Sequence, residues 1–237
     1  MGQTHSRRDG GNVVFWETHR HRVVDVIGPG VICKVNLGDD VMPNTVDPDG
    51  WTTTVVEAGA GTSEIDPSTT AGYFADLVTA ANEDDGSQSQ APGAMFMCLS
   101  GRKWYAGLKF KINDATQSDI LFGVAITDTT LLGGMTDGAY LECLDAATSV
   151  SAVAEKDSTE SQDDSLGTLA DDTVQYWELY WDGTTLYVYI DGSQVTTFVS
   201  GDNLPDNEGL RLSLAVLTGE AVAQTMNIVV CRGFVWM

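Results

Sequence analysis

What this sequence has little of narrows its chemistry first. Histidine occurs only as His5, His19 and His21, all within the first 21 residues. A Ser-His-Asp or Cys-His catalytic set in the rest of the chain would have to borrow a histidine from that segment, which argues against one. His19 and His21 in THRHR have a spacing that suits a metal, but a solvated or partner-facing arm is the better reading. Lysine and arginine are scarce, 12 against 34 aspartates and glutamates, for a formal net charge of −22. That balance repels DNA and anionic membranes, so neither a nucleic-acid nor a membrane partner is expected. The four cysteines, Cys33, Cys98, Cys143 and Cys231, form no CxxC pair and sit among apolar residues. They read as small buried hydrophobes; two long-range disulfides are possible, but no signal peptide argues for an oxidising compartment. No apolar run approaches the roughly 18 residues of a membrane-spanning helix.

What is present is a period of two. In KWYAGLKFKIN, Trp104, Ala106, Leu108, Phe110 and Ile112 fall on one face, and Lys103, Tyr105, Gly107, Lys109 and Lys111 on the other. That alternation predicts a strand with one buried and one wet face. RLSLAVL repeats it, with Leu212, Leu214 and Val216 inward, and ILFGVAI (120–126) is apolar on both faces, as in a central strand. AYLECL, SVSAVAE, MNIVVCRGFVW, HRVVDVI, GVICKVNL, WTTTVVEAG and GYFADLVTAA are further strand candidates, while PNTVDPDG and NEDDGSQSQAPG read as loops. In YWDGTTLYVYIDGSQV the two Asp-Gly pairs sit where a three-strand meander must turn: glycine tolerates positive φ and aspartate accepts turn hydrogen bonds. No long amphipathic helix and no 20–50-residue repeat is apparent. At 237 residues, one all-β sandwich accounts for the chain, with residues 1–22 as an arm and 23–237 as a single jelly-roll domain.

The arm differs from the body in charge. Four of the 12 cations but only two of the 34 acids fall in residues 1–22. Its candidate partner-binding residues are Arg7, Arg8, Arg20 and Arg22, which can pair with carboxylates, and Val13, Val14, Phe15 and Trp16, which are too apolar for a free tail. The expectation is that the arm orders on a neighbour, VVFW packing into an apolar groove or adding a strand; the alternative is that VVFW is an edge strand of its own sandwich.

Catalytic and metal sites find little support. EIDPST (64–69) resembles the start of the Glu-Ile-Asp-x-x-Glu motif of laminarinase-type glycoside hydrolases, in which alternation along a strand aims three acids into one cleft. Here Pro67 interrupts the strand and Thr69 replaces the third acid, so Glu64 and Asp66 are expected to be dispensable. DPDG (47–50) and NEDDG (82–86) lack the alternating oxygens and distal glutamate of a calcium loop. No Gly-rich phosphate loop follows a strand. No cofactor and no catalytic residue is expected. Trp177, Trp181, Tyr187 and Tyr189 lie on neighbouring strands and form a candidate sugar-stacking platform, although most aromatics of such a fold belong to its core.

WELYWDGTTLYVYIDGSQV looks like the late strands of laminin-G-like and concanavalin-like jelly rolls. The stretches QSDILFGVAITDTTLLGGMTDGAYLECLDAATSVSAVAEKDSTES and NLPDNEGLRLSLAVLTGEAVAQTMNIVV resemble a group of tailed-bacteriophage structural proteins with this fold. The likeness runs from about 104 to 237. It implies a non-enzymatic virion protein, a head decoration or cement protein on the outer capsid surface that is made in the bacterial cytoplasm. It would staple the major capsid protein as a homotrimer. The alternative is a lectin-like carbohydrate-binding module on a head surface or tail fibre.

Overall fold

The computed structural model describes residues 4–9, 12–17, 31–37, 51–57 and 63–236. In chain order the strands are β1 (Thr4–Asp9), β2 (Asn12–Glu17), β3 (Val31–Leu37), β4 (Thr52–Val56), β5 (Glu64–Pro67) and β6 (Ala75–Val78). There follow β7 (Gly86–Gln90), β8 (Lys103–Ile112), β9 (Ser118–Ala125), β10 (Gly138–Cys143), β11 (Ser149–Lys156) and β12 (Thr159–Thr168). The last are β13 (Gln175–Trp181), β14 (Thr185–Ile190), β15 (Ser193–Val199), β16 (Arg211–Thr218) and β17 (Thr225–Trp236). No helix occurs among the described residues.

Two antiparallel sheets face one another. A seven-stranded sheet runs β12-β11-β10-β9-β16-β7-β4, and an eight-stranded sheet runs β15-β14-β13-β8-β17-β6-β5, with β3 also paired to β17. The inner faces carry the apolar sets that the alternation picks out. Trp104, Phe110, Phe122, Leu186, Val188 and Leu214 are all fully buried. Phe110 meets Trp177 edge-on with ring centroids 5.0 Å apart, and Phe96 meets Trp104 in the same way at 5.8 Å. Each such side chain contributes roughly 1.5–3 kcal/mol by leaving water, so the inner faces alone specify the register of both sheets.

The Asp-Gly pairs are corners. Asp191 and Gly192 both have positive φ, 51° and 76°, which makes the two-residue turn that suits a right-twisted hairpin. The Asp191 carboxylate accepts from the Tyr176 N–H, and that of Asp182 accepts from the N–H groups of Thr184 and Thr185. Cys98, Cys143 and Cys231 are buried free thiols.

Two readings change. GSQSQ, within the expected loop NEDDGSQSQAPG, is β7, a fully buried strand between β16 and β4. It has no apolar residue because its two faces do different work: Ser87 and Ser89 are small enough to pack inward, and Gln88 and Gln90 spend their amides on a loop. The wet face of β8 is also not wet throughout, since Tyr105 and Gly107 are buried there. Candidate strand HRVVDVI and the acidic turn DPDG lie outside the described residues.

Candidate functional site

The outer face of the seven-stranded sheet is built by register. Gly123, Tyr140 and Val153 align across β9, β10 and β11, and Glu155 lies between Gly138 on β10 and Glu160 on β12. Glu142 follows Tyr140 by two residues, so it shares their face. Gly123 matters here because a Cβ would come within 2.3 Å of the Ala139 carbonyl and 2.7 Å of the Tyr140 Cβ; only glycine lets Tyr140 lie down over β9. The segment after β9 folds back over this face. The Gln90 amide donates to the Ile126 carbonyl at 2.8 Å and accepts from the Asp128 N–H at 2.9 Å. The Gln88 amide donates to the Thr129 carbonyl at 3.2 Å and accepts from the Leu131 N–H. These four bonds tie the loop's backbone to β7, and Leu131 and Met135 lie with Leu121, Tyr140, Val153 and Ala215 in a small apolar cluster separate from the main core.

Beside that cluster is a cavity of about 310 Å³ lined by Leu131, Gly133, Gly134, Met135, Tyr140, Glu155, Ser158 and Glu160. Its lining combines the side chains of Leu131, Met135 and Tyr140 with the carboxyl groups of Glu155 and Glu160. Glu155 is only 5% exposed, and among the described residues its carboxylate accepts one long hydrogen bond, 3.4 Å from the Tyr140 hydroxyl. Burial, and then the charge of Glu160, push the Glu155 carboxyl up to about 6. Burial and Glu160 likewise push Glu142 up to about 7. Tyr140 is raised by burial and by Glu142. The charges of Glu155 and Glu160 both raise Glu142, and that of Glu160 raises Glu155.

The outer face of the eight-stranded sheet is aromatic instead. Tyr187, Tyr180, Tyr105 and Phe234 occupy one transverse row across β14, β13, β8 and β17. Tyr180 and Tyr187 stack with centroids 6.1 Å apart, and Tyr105 and Phe234 at 5.9 Å. Under the row runs a polar chain. Arg232 Nη2 donates to the Tyr176 hydroxyl at 2.9 Å, the Tyr176 and Tyr105 hydroxyls bond to each other, and Tyr105 donates to Glu178 Oε1 at 2.9 Å. Because the Tyr105 proton points to Glu178, Tyr176 is the donor to Tyr105.

The expected site residues are scattered. Trp177 and Trp181 lie in the inner core, whereas Tyr187 and Tyr189 belong to the outer aromatic cluster, so the four do not form one platform. Neighbouring strands were the right clue, but residues at paired positions share a face and these are offset by one. Glu64 and Asp66 stand on β5, the edge of the eight-stranded sheet, remote in the topology from the cavity; mutual repulsion with Asp66 raises Glu64. In the arm, β1 and β2 pair as a two-stranded sheet, setting Arg7 opposite Val14, Arg8 opposite Val13, Ser6 opposite Phe15 and His5 opposite Trp16. Among the described residues, the VVFW strand pairs with β1 within residues 1–22. Arg20 and Arg22 lie outside the described residues. Among the described residues, no group of three or more His, Cys, Asp and Glu side chains is placed to hold a metal ion. Glu142, Glu155 and Glu160 went unnoticed in a chain so rich in acids. The signal was the alternation of AYLECL and SVSAVAE, which puts Glu142 and Glu155 on the face opposite the core.

No protein-family model matches the chain, and no curated protein matches it. Solved structures do. The chain is similar to the carbohydrate recognition domain of Emp46p in its potassium-bound form, at 12% identity and a TM-score of 0.58, over 85% of this chain and 95% of that one. It is similar to an endo-1,3-beta-glucanase from Streptomyces sioyaensis, at 12% identity and a TM-score of 0.59, over 89% and 98%. It is also similar to a Bacteroides ovatus mixed-linkage glucan GH16 in complex with its product, at 13% identity and a TM-score of 0.54, over 86% and 100%. At such identities the likeness shows the fold, a concanavalin-like jelly roll that serves lectins and glycosidases alike. Nothing in the comparisons points to a phage virion protein.

Proposed function

We propose that the protein is a lectin-like module that binds carbohydrate in the cavity on the outer face of the seven-stranded sheet. The observation that carries this reading is the cavity's mixed lining: the Tyr140 ring and Met135 offer apolar surface to the face of a pyranose, and Glu155 and Glu160 offer acceptors to its hydroxyls. Ligand sites of this kind combine an apolar wall with a few placed polar groups. The carbohydrate recognition domain and glycosidases among the similar structures support the same class of ligand. The test is binding of a panel of oligosaccharides to the full chain and to Tyr140→Ala. Loss of binding in the variant supports the site, and unchanged binding removes it. Release of reducing ends that stops in Glu155→Gln would replace binding with hydrolysis as the function. The setting on a capsid surface, with the major capsid protein as partner and a trimeric state, is proposed on the sequence resemblance alone. Imaging labelled protein on virions, and sizing it in solution, test that separately.

A further inference from the structure

Resting on the carbohydrate reading, we propose that the sugar this cavity takes carries a free amine, which sits as an ammonium between Glu155 and Glu160. Glu155 is about nineteen-twentieths buried, lines the cavity, and has a single 3.4 Å hydrogen bond, so one carboxylate oxygen has no partner among the described residues. Glu160 faces it directly across the β11–β12 pair. Two cations of the same sheet are engaged elsewhere: Lys156 on β11 holds Asp206 at 2.6 Å, and Arg211 on β16 donates to Thr127 at 2.7 Å and to the Ala91 carbonyl at 3.1 Å. Among the described residues, no cation lines the cavity. A neutral ligand closing over this wall would take two carboxylates further from water without supplying a countercharge, and an anionic one would add repulsion. An ammonium supplies both the charge and up to three donors, at the short distances of charge-assisted hydrogen bonds. A metal ion is the other way to neutralise the wall, but the described residues offer no set of three ligands for one.

The experiment is calorimetric titration of the full chain at pH 6.5 with three probes: a glucosamine tetramer, its fully N-acetylated form and a neutral β-glucan tetramer. Each is repeated on Glu155→Gln and Glu160→Gln, with melting curves to show that the variants are folded. The expected result is a preference of about tenfold or more for the free amine, equivalent to about 1.4 kcal/mol. That preference should shrink at high salt and be lost in Glu155→Gln, while the acetylated form binds both proteins alike. Equal or tighter binding of the neutral probes overturns the amine and leaves a sugar site. Binding of a simple alkyl diamine as tight as that of the glucosamine tetramer overturns the sugar and leaves a cation site. No binding of any probe overturns both.

Discussion

The two outer faces of this sandwich solve the same problem in opposite ways. Each carries buried polar groups on the side of a sheet that ordinarily meets water. On the eight-stranded sheet the carboxylate of Glu178 is linked through Tyr105 and Tyr176 to Arg232, whose guanidinium also lies over the Tyr105 ring at 5.8 Å. What is left over there is donors: Arg232 Nε and Trp236 Nε1 are buried without a hydrogen-bond partner among the described residues. On the seven-stranded sheet what is left over is acceptors, on Glu155 and its neighbours, beside an open cavity. A charge that is tied into a chain of hydrogen bonds holds the fold. A charge that is buried, raised in pKa and turned toward empty space is suited to a ligand. The contrast therefore separates a structural face from a functional one, and it can be broken at either side.

The largest effect is expected at the structural face. Arg232→Ala removes the cation and leaves Glu178 and two tyrosine hydroxyls facing each other. Removing one member of a buried charged network costs about 3–5 kcal/mol, so thermal or denaturant unfolding should register a large loss. Adding Glu178→Gln to that background should recover part of it, because a buried neutral amide costs less than a buried carboxylate whose hydrogen-bond chain has lost its cation. If Arg232→Ala melts like the parent, the chain of hydrogen bonds is not what holds that face.

Next come two changes that reach the functional face through its supports. Gly123→Ala places a Cβ against the β10 backbone, where overpacking costs about 1–3 kcal/mol, and it displaces Tyr140 from the cavity floor. Both stability and sugar binding should fall. Gln90→Ala leaves the Asp128 N–H and the Ile126 carbonyl without their side-chain partners. Each unsatisfied group costs about 1–3 kcal/mol where water cannot replace it. Here the loop is expected to loosen, with faster amide exchange at Asp128 and weaker binding, while exchange in β8 and β13 stays slow. A uniform rise in exchange across both sheets would mean that Gln90 holds the whole sandwich.

Much of the fold was legible in the sequence because burial of one face imposes alternation, and KWYAGLKFKIN and TLYVYI alternate cleanly. The Asp-Gly corners were legible because few other dipeptides accept positive φ. GSQSQ was not, because its inward residues are serines. Its place in the sheet follows from the amides of Gln88 and Gln90 and from pairing with β16 and β4, none of which is local. The cavity was hidden for a related reason. Its carboxylates come from two strands, and the segment TDTTLLGGMTDG comes to line it only through contacts with β7. Tyr105 misled in the other direction. It lies on the polar side of its strand, and only the cross-strand row with Tyr180 and Phe234 shows that this side is also packed.

The smallest effect sharpens the comparison by pH. Glu142 has its carboxyl pushed up to about 7 from an ordinary value of 4.5, by burial and then by Glu160. Between those values the native state binds more protons than the unfolded state, so this group's contribution to stability falls as pH rises from 4.5 to 7 and the penalty is complete above that. Glu155, raised to about 6, acts in the same direction. Glu142→Gln keeps the shape of the protonated acid and cannot ionise. It should leave the melting temperature nearly unchanged at pH 4.5 and raise stability at pH 8 by about 1–2 kcal/mol, the partial exposure of the side chain screening the rest. Stabilisation that is equal at pH 4.5 and pH 8 would trace the gain to packing and not to charge. A loss at both would mean that the Glu142 carboxylate has a partner that holds it, and the acidic face would then resemble the structural face of the other sheet.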